Sequence, residues 1–376
     1  MGAFGQVSFF VALIVVILVH EAAHFAVAKG FGIKVTEFFV GFGPRLWSTR
    51  RGETEYGVKA IPAGGYVKIA GMNPYERVAP QDEGRVFGAK PIWQRALVIF
   101  AGPATHFVLA LLAFGAWLGF VGHQVAVVGP PTVAYVADRL DGTVSPAATA
   151  GLRVGDRIVG VDGIEVRSSD QVVAYTREHV GEPITLRVDR DGRSMTITVT
   201  PVLSEVEGQQ VGRIGVELAT DVRRETLGPV ESITEAGQLT WDTAVGTVRE
   251  FGRVFGPEGI GRLFQLATTD APREAEDPAS VIGVARIVGQ TAEDGRFWDN
   301  LTYFALVNIF IGLLNLVPLP PFDGGHLGVL AIEKVTRRKV DMRKIVPVSA
   351  AVAVFLVFFT LSVIYVDLVK PPNLAP

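Results

Sequence analysis

The chain of 376 residues contains no cysteine. Disulfides, thiolate metal ligands and cysteine nucleophiles are excluded, and any metal must be held by His, Asp or Glu. A surplus of charge of either sign is also missing: 35 Lys and Arg face 38 Asp and Glu, for a net charge of −3. Nucleic-acid binding, which uses a basic surface, finds no support in that balance. Charge is scarce altogether. Charged residues make up 19% of the chain and hydrophobic ones 49%, with a mean hydropathy of +0.35. A soluble domain carries nearer ~25% charged residues.

The apolar residues are concentrated. Residues 1–19, 301–322 and 345–366 carry no acidic or basic side chain, and 96–122 carries only His106. Each stretch is near or above the ~20 residues that cross a bilayer as a helix. Four transmembrane helices are expected, at 4–28, 96–120, 301–319 and 347–366. Ala26-Val27-Ala28 resembles a signal-peptide cleavage site, but the first run is long and lacks a basic start, so it is expected to stay as an anchor. Basic residues crowd the segments from Lys29 to Arg95 and from Lys334 to Lys344, whereas the C-terminal flank has only Lys370. The positive-inside rule therefore places both connections in the cytoplasm and the long 122–300 segment outside.

The expected organisation follows the chain. Residues 1–28 form the first span, and 29–95 a cytoplasmic or re-entrant β-hairpin region. The hairpin comprises a glycine- and aromatic-rich run at 38–47, a turn at Arg51-Gly52-Glu53 and a strand at 54–61. Pro62, Gly64 and Gly65 are read as punctuation before a second short strand. The second span is 96–121, a soluble domain 122–205, and an amphipathic or linker region 206–300. Val248, Phe251, Val254 and Phe255 recur there at helical spacing, as on a helix lying on the membrane or packed on the soluble domain. A charge- and proline-rich loop is expected at 271–278. The third span and its broken end occupy 301–330, a cytoplasmic loop 331–346, the fourth span 347–366, and an outer tail 367–376. Within the soluble domain, Ala150-Gly151-Leu152 followed by Gly155-Asp156-Arg157-Ile158 resembles a bacterial PDZ domain. Such domains bind extended peptides by strand addition. With almost no linker after the second span, this one is expected to act either by peptide capture or as a gate that excludes bulky substrates.

The strongest chemical signal is His20-Glu21-Ala22-Ala23-His24. Residues i and i+4 share a helix face, so both imidazoles can bind one ion while Glu21 beside them serves as a base. Ionisable groups at the end of a membrane span are functional candidates by default. A catalytic zinc site takes three protein ligands and a water. His106, Asp323 and His326 are the candidates for the third. Asp323 closes the run Asn315-Leu316-Val317-Pro318-Leu319-Pro320-Pro321-Phe322-Asp323-Gly324-Gly325, whose prolines and glycines break the helix. Broken backbone at membrane depth must be buried in protein or line a wet cavity.

HExxH in the first span paired with Asn-x-x-Pro-x-Pro-x-x-Asp-Gly-Gly in the third resembles the site-2 protease family, in particular its bacterial regulator-of-sigma-E group. Supporting stretches are Ile61-Pro62-Ala63-Gly64-Gly65-Tyr66, Lys90-Pro91-Ile92-Trp93-Gln94-Arg95 and Ala101-Gly102-Pro103. A single PDZ domain resembles the actinobacterial members. The resemblance implies Zn2+ bound by His20, His24 and Asp323, with Glu21 as catalytic base and acid. It implies that Asn315 positions substrate backbone or stabilises the oxyanion. Substrate contact falls to Gly64, Gly65 and Tyr66 of the hairpin and to Asn315, Pro318 and Pro320. The implied fold is a four-span α-helical membrane protein with a membrane-associated β-hairpin and an extracytoplasmic α+β PDZ domain. The implied partners are the lipid bilayer of the bacterial cytoplasmic membrane, a single-span substrate such as an anti-sigma factor, and an upstream site-1 protease. Two positions depart from the family: His106 stands where asparagine is common, and Phe322 where leucine is. A PDZ-bearing adaptor or a metal transporter with a structural metal site are the rival readings, and neither needs Glu21.

The absence of cysteine makes the topology testable. A cysteine placed at Ser168 is expected to react with a membrane-impermeant thiol reagent in intact cells, and one at Thr49 to be protected. The reverse labelling would invert the orientation.

Overall fold

In lipid, backbone polar groups must be satisfied within the segment, which leaves an uncharged run one common solution, the α-helix. The computed structural model describes residues 1–371 other than Pro74, Glu207, Gly208, Ala275 and Glu276. The last half of the expected tail 367–376 and the middle of the loop 271–278 lie outside the described residues. Among the described residues, four helices are long and apolar enough to cross a membrane: Gly2–Gly30, Ile92–Val121, Phe297–Leu316 and Met342–Val369. They contain α1 (Gly2–Gly30), α2 (Ile92–Ala116), α8 (Asn300–Leu316) and α10 (Val346–Val369). The chain divides into two compact units, Met1–Val121 with Leu227–Pro376, and Gly122–Thr226.

In the first unit α2 is central. Ala110, Ala113 and Phe114 of α2, with Leu118 just beyond its end, pack with Ala305 and Ile309 of α8 and with Ala236 of α5 (Pro229–Val254). The expected third span 301–330 is two helices. α8 ends at Leu316, and after a bend α9 (Asp323–Thr336) begins. The Asp-Gly-Gly run has a steric reason. A Cβ on Gly324 would lie 2.3 Å from the Leu316 and Val317 carbonyl oxygens, and one on Gly325 2.4 Å from Pro320 N. The first turn of α9 thus rests directly on the broken backbone. Its far end is tied to α2 by a buried ion pair, Arg95 Nη2 to Glu333 at 2.8 Å, which accounts for the arginine closing the Lys90–Arg95 run. Because α9 continues to Thr336, the expected loop 331–346 is shorter than its sequence suggests.

The hairpin is β1 (Val35–Arg51) and β2 (Thr54–Ile69). Here the expectation fails: Pro62, Gly64 and Gly65 do not end the strand, which runs through them. Gly41, Gly43 and Gly64 take positive φ, a region open to glycine, and the ribbon bends there. Val40 consequently faces both Gly65 and Val58, and Phe38 both Val67 and Tyr56. The base of the hairpin is anchored by Ile33, Val35 and Ile69, packed with Ala28 of α1 and Val98 and Ile99 of α2. At the turn, Arg85 and Lys29 hold the Glu53 carboxyl down at about 2.

Residues 227–300, within the expected amphipathic or linker region 206–300, belong to the helical unit. They form α5, α6 (Pro257–Thr268) and α7 (Val281–Glu293). Phe251 of α5 meets Phe310 of α8, and Phe255 meets Phe359 of α10. Two residues of the periodic apolar face, Phe251 and Phe255, therefore pack on the long apolar helices, while Val248 stays exposed. Buried Asp367 of α10 accepts from the Ser280 and Gly283 amides at the start of α7, where a carboxylate suits a helix N-terminus.

The second unit begins with β3 (His123–Ala126), β4 (Thr132–Val136), short β5 (Arg139–Leu140) and β6 (Thr143–Val144), and α3 (Pro146–Ala150). β7 (Arg157–Val161), short β8 (Ile164–Glu165), α4 (Ser169–Glu178), β9 (Ile184–Arg190) and β10 (Arg193–Val199) follow. It ends with β11 (Val202–Val206), β12 (Gln209–Arg213), β13 (Val216–Ala219) and β14 (Val222–Glu225). The main sheet runs β10-β9-β7-β4-β13. The expected boundary at 205 is too early. β13 pairs with β4, Ile214 enters the core beside Val133 and Ile158, and β14 pairs with β3. The Gly-Asp of the signature also has a structural reason. Asp156, with no exposed surface, accepts from Arg190 Nε at 2.6 Å, Arg190 Nη2 at 2.7 Å and the Arg153 amide at 2.9 Å.

Burial alone would raise the Asp156 carboxyl, but Arg190 and the Arg153 amide outweigh it and hold the group below the ordinary carboxylate range. The folded unit therefore favours the ionised form. Its contribution is present at neutral pH and is lost as pH falls below ~4 towards the lower folded value. Arg190→Met strands a buried charge and is expected to cost about 3 kcal/mol. Hydrogen exchange across β9 and β10 in the full chain reports it; unchanged protection at neutral pH would refute the expectation.

Candidate metal centre

The site is built where α1, α2 and α9 meet. His20 and His24 lie one turn apart on α1, and Asp323 opens α9. The spacings are 3.0 Å between the two histidine Nε2 atoms and 3.3 Å from each to Asp323 Oδ2. Tetrahedral ligands at 2.0–2.1 Å from a zinc ion stand ~3.3 Å apart, so the triangle has the dimensions of a zinc site. The chemistry of the donors agrees. His24 Nδ1 is 2.7 Å from the Val98 carbonyl, which can only accept, so the proton is on Nδ1 and the Nε2 lone pair faces the centre. Asp323 Oδ2 is buried without a hydrogen-bond partner among the described residues. Such a group needs a counter-charge. Space is also reserved. A Cβ on Gly102 of α2 would sit 2.3 Å from His24 Nε2 and 2.7 Å from His20 Cε1.

Of the three candidates for third ligand, the structure brings Asp323 to the histidines, and the three form the one group of metal-holding geometry found among the described residues. His326 instead lines a separate cavity of about 150 Å³ with Arg95 and Glu333. His106 is buried behind the site, with Nε2 3.0 Å from His20 Nδ1. Glu21 is half-buried beside Gly65, where an added Cβ would touch its Cγ at 3.5 Å. The hairpin segment 65–67 thus runs past the general-base candidate.

The remaining expected contacts are less direct. The Tyr66 ring stacks on Phe39 and its hydroxyl donates to Glu37 at 2.6 Å, so it stiffens the hairpin. Gly64 lies against the Phe42 ring. Asn315 is half-buried on α8, on the helical face shared with Asn308 and Gly312 by the i, i+4, i+7 rule. Pro318 is exposed and Pro320 underlies Gly325. Three contributors escaped sequence reasoning. The Val98 carbonyl carries no residue-type signal. Gly102 was visible as part of a motif without a role. Asn308 had a signal, since a polar amide within an otherwise apolar span is a candidate for an inward role.

A model of peptidase family M50 matches residues 8–360. The chain is 34% identical to the zinc metalloprotease Rip1 of Mycolicibacterium smegmatis, covering 99% of this chain and 98% of that one. It is 33% identical to Rip1 of Mycobacterium tuberculosis, with 98% of each covered. A putative zinc metalloprotease of Rhizobium meliloti is 32% identical over 89% of this chain and 88% of its own. Among solved structures, a PDZ domain of an SdrC-like protein from Listeria monocytogenes aligns with 25% of this chain and 90% of its own. It is 24% identical with a TM-score of 0.21.

Gly102→Ala is expected to push the two imidazoles apart and lower bound zinc at least about tenfold, as Asp323→Ala does by removing a ligand. Elemental analysis of the purified variants checks both, and full zinc content in Gly102→Ala would show that the rings are not confined by α2.

Proposed function

The chain belongs to peptidase family M50 and is a zinc metalloprotease of the membrane, and we propose that it hydrolyses peptide bonds of single-span membrane proteins within or beside the bilayer. The observation that carries this reading is the convergence of His20, His24 and Asp323 beside Glu21, at the ends of bilayer-length helices. When bound, zinc supplies Lewis-acid chemistry, polarising a carbonyl and acidifying a water. Glu21 is then the group that takes the water proton and returns it to the leaving amine. His20, His24 and Asp323 hold the metal.

A substrate helix has to unwind first, because its carbonyls are hydrogen-bonded and covered. The segment 65–69 of β2 is paired to β1 along one side, and 65–67 passes Glu21. An unwound substrate strand laid along it would bring its carbonyls to the metal, with Asn315 approaching from α8. Strand addition supplies main-chain hydrogen bonds without demanding a particular sequence.

The finer reading is a second cut in regulated intramembrane proteolysis, in the bacterial cytoplasmic membrane. An anti-sigma factor trimmed by a site-1 protease is the expected substrate. The PDZ-like unit supports capture of an extended chain. Its main sheet ends at β13 among the described residues. A groove of about 350 Å³ lies between β13 and α4, lined by Val172, Val173, Ile214, Val216 and Leu218.

Glu21→Gln is expected to retain zinc yet slow cleavage of a trimmed single-span substrate in proteoliposomes by about 100-fold or more. Mass spectrometry of the membrane peptides reports the rate and the cut position. Near wild-type cleavage by the purified variant would sink the protease mechanism, and equal cleavage of untrimmed substrate by the wild type would sink the second-cut role.

A further inference from the structure

The two zinc-facing histidines have their second ring nitrogens held differently. His24 Nδ1 is fixed by a backbone carbonyl of α2. His20 Nδ1 meets a side chain, His106 Nε2, at 3.0 Å. His106 Nδ1 in turn lies 3.2 Å from Asn308 Oδ1, and Asn308 Nδ2 donates to the Phe304 carbonyl at 2.8 Å. The chain of contacts crosses from α1 through α2 to α8.

Its protons are determined from the far end. The Phe304 carbonyl only accepts, so it takes the Asn308 amide hydrogen and turns Oδ1 towards His106. That oxygen also only accepts, so His106 carries its proton on Nδ1. Neutral His106 then has a lone pair at Nε2, and His20 Nδ1–H donates to it. His20 is left with its Nε2 lone pair pointing at His24 Nε2 and Asp323 Oδ2. The opposite tautomer of His106 would set lone pair against lone pair at Asn308 and proton against proton at His20. His106 and Asn308 are each only 1% exposed, so water cannot repair such a mismatch.

We propose that His106 is a positioning residue that fixes the tautomer and ring orientation of His20, and that Asn308 fixes His106. It touches neither metal nor substrate. Ligand histidines are ordinarily oriented through the nitrogen that does not bind the metal; here a second imidazole, itself anchored on another helix, does this. The close approach depends on Gly312, where a Cβ would lie 2.9 Å from His106 Cβ. The His20 ligand thereby becomes sensitive to the placement of α8, the helix that also carries Asn315. The inference rests on the zinc reading of the site.

The test compares wild type, His106→Leu, His106→Gln, Asn308→Leu and Asp323→Ala as purified full chains in detergent. Zinc affinity is measured by competition with a chelating indicator, and ligand geometry by the visible spectrum of the cobalt(II) form. His106→Leu should weaken zinc binding about 10- to 100-fold, Asn308→Leu by about threefold or more, and His106→Gln by less than about threefold. Glutamine keeps an acceptor for His20 and a donor for Asn308, so it should also keep the cobalt spectrum. Equal zinc affinity in His106→Leu and His106→Gln would overturn the positioning role. Loss in His106→Gln as deep as in Asp323→Ala would make His106 a ligand, and also overturn it. Retention of zinc by Asp323→Ala would refute the site itself, an outcome distinct from either.

Discussion

Three donor atoms, His20 Nε2, His24 Nε2 and Asp323 Oδ2, face one another across 3.0 to 3.3 Å inside an apolar bundle. That arrangement is electrostatically unfavourable until a cation fills it, so the protein has to hold the three donors in place by other means. The devices lie outside the triangle. Gly102 lets α2 come under both rings. Gly324 and Gly325 seat α9 on the broken end of α8. The buried Arg95–Glu333 pair keeps α9 against α2. Backbone contact and ion pairing thus place three helices to the tolerance that a metal requires.

The same constraint explains why irregular backbone is admitted next to the site. A bend at 317–322 would be untenable wholly facing lipid, but here Gly324 and Gly325 back it along one side, against Leu316, Val317 and Pro320, and the Gly325 amide bonds the Phe322 carbonyl. The hairpin meets the requirement differently. Its two long strands bend at positive-φ glycines so that residues 37–40 have partners on both sides, and its base is sealed by Ile33, Val35 and Ile69.

Much of the candidate metal centre could be read from the sequence because HExxH combines a helix period with an unusual setting. Two imidazoles and a carboxylate rarely end an uncharged span without chemical cause. Asp323 was one of three candidates until the geometry separated it from His106 and His326, since spacing along the chain does not report distance between helices. The four spans were legible through the absence of charge. The hairpin strand β2 was not, because Pro62 and Gly64 carry a local signal for interruption that tertiary pairing overrides. The end of the second unit was missed for a related reason. Val216–Ala219 is a short strand whose partner, β4, lies some eighty residues earlier. α5 was recognised as amphipathic, but amphipathicity names a buried face without naming what covers it.

The first and last strands of the inserted unit pair with each other, His123 opposite Glu225 and Ala126 opposite Val222. The chain therefore leaves and re-enters the membrane unit through one narrow doorway. Across that doorway the helical unit is already continuous, for the Leu227 amide bonds the Leu118 carbonyl. In architectural terms the soluble unit is an insert and not a segment of the bundle's path. A recombination event confined to the doorway can exchange, double or remove it without rethreading a helix, because His20, His24 and Asp323 all lie outside the exchanged segment.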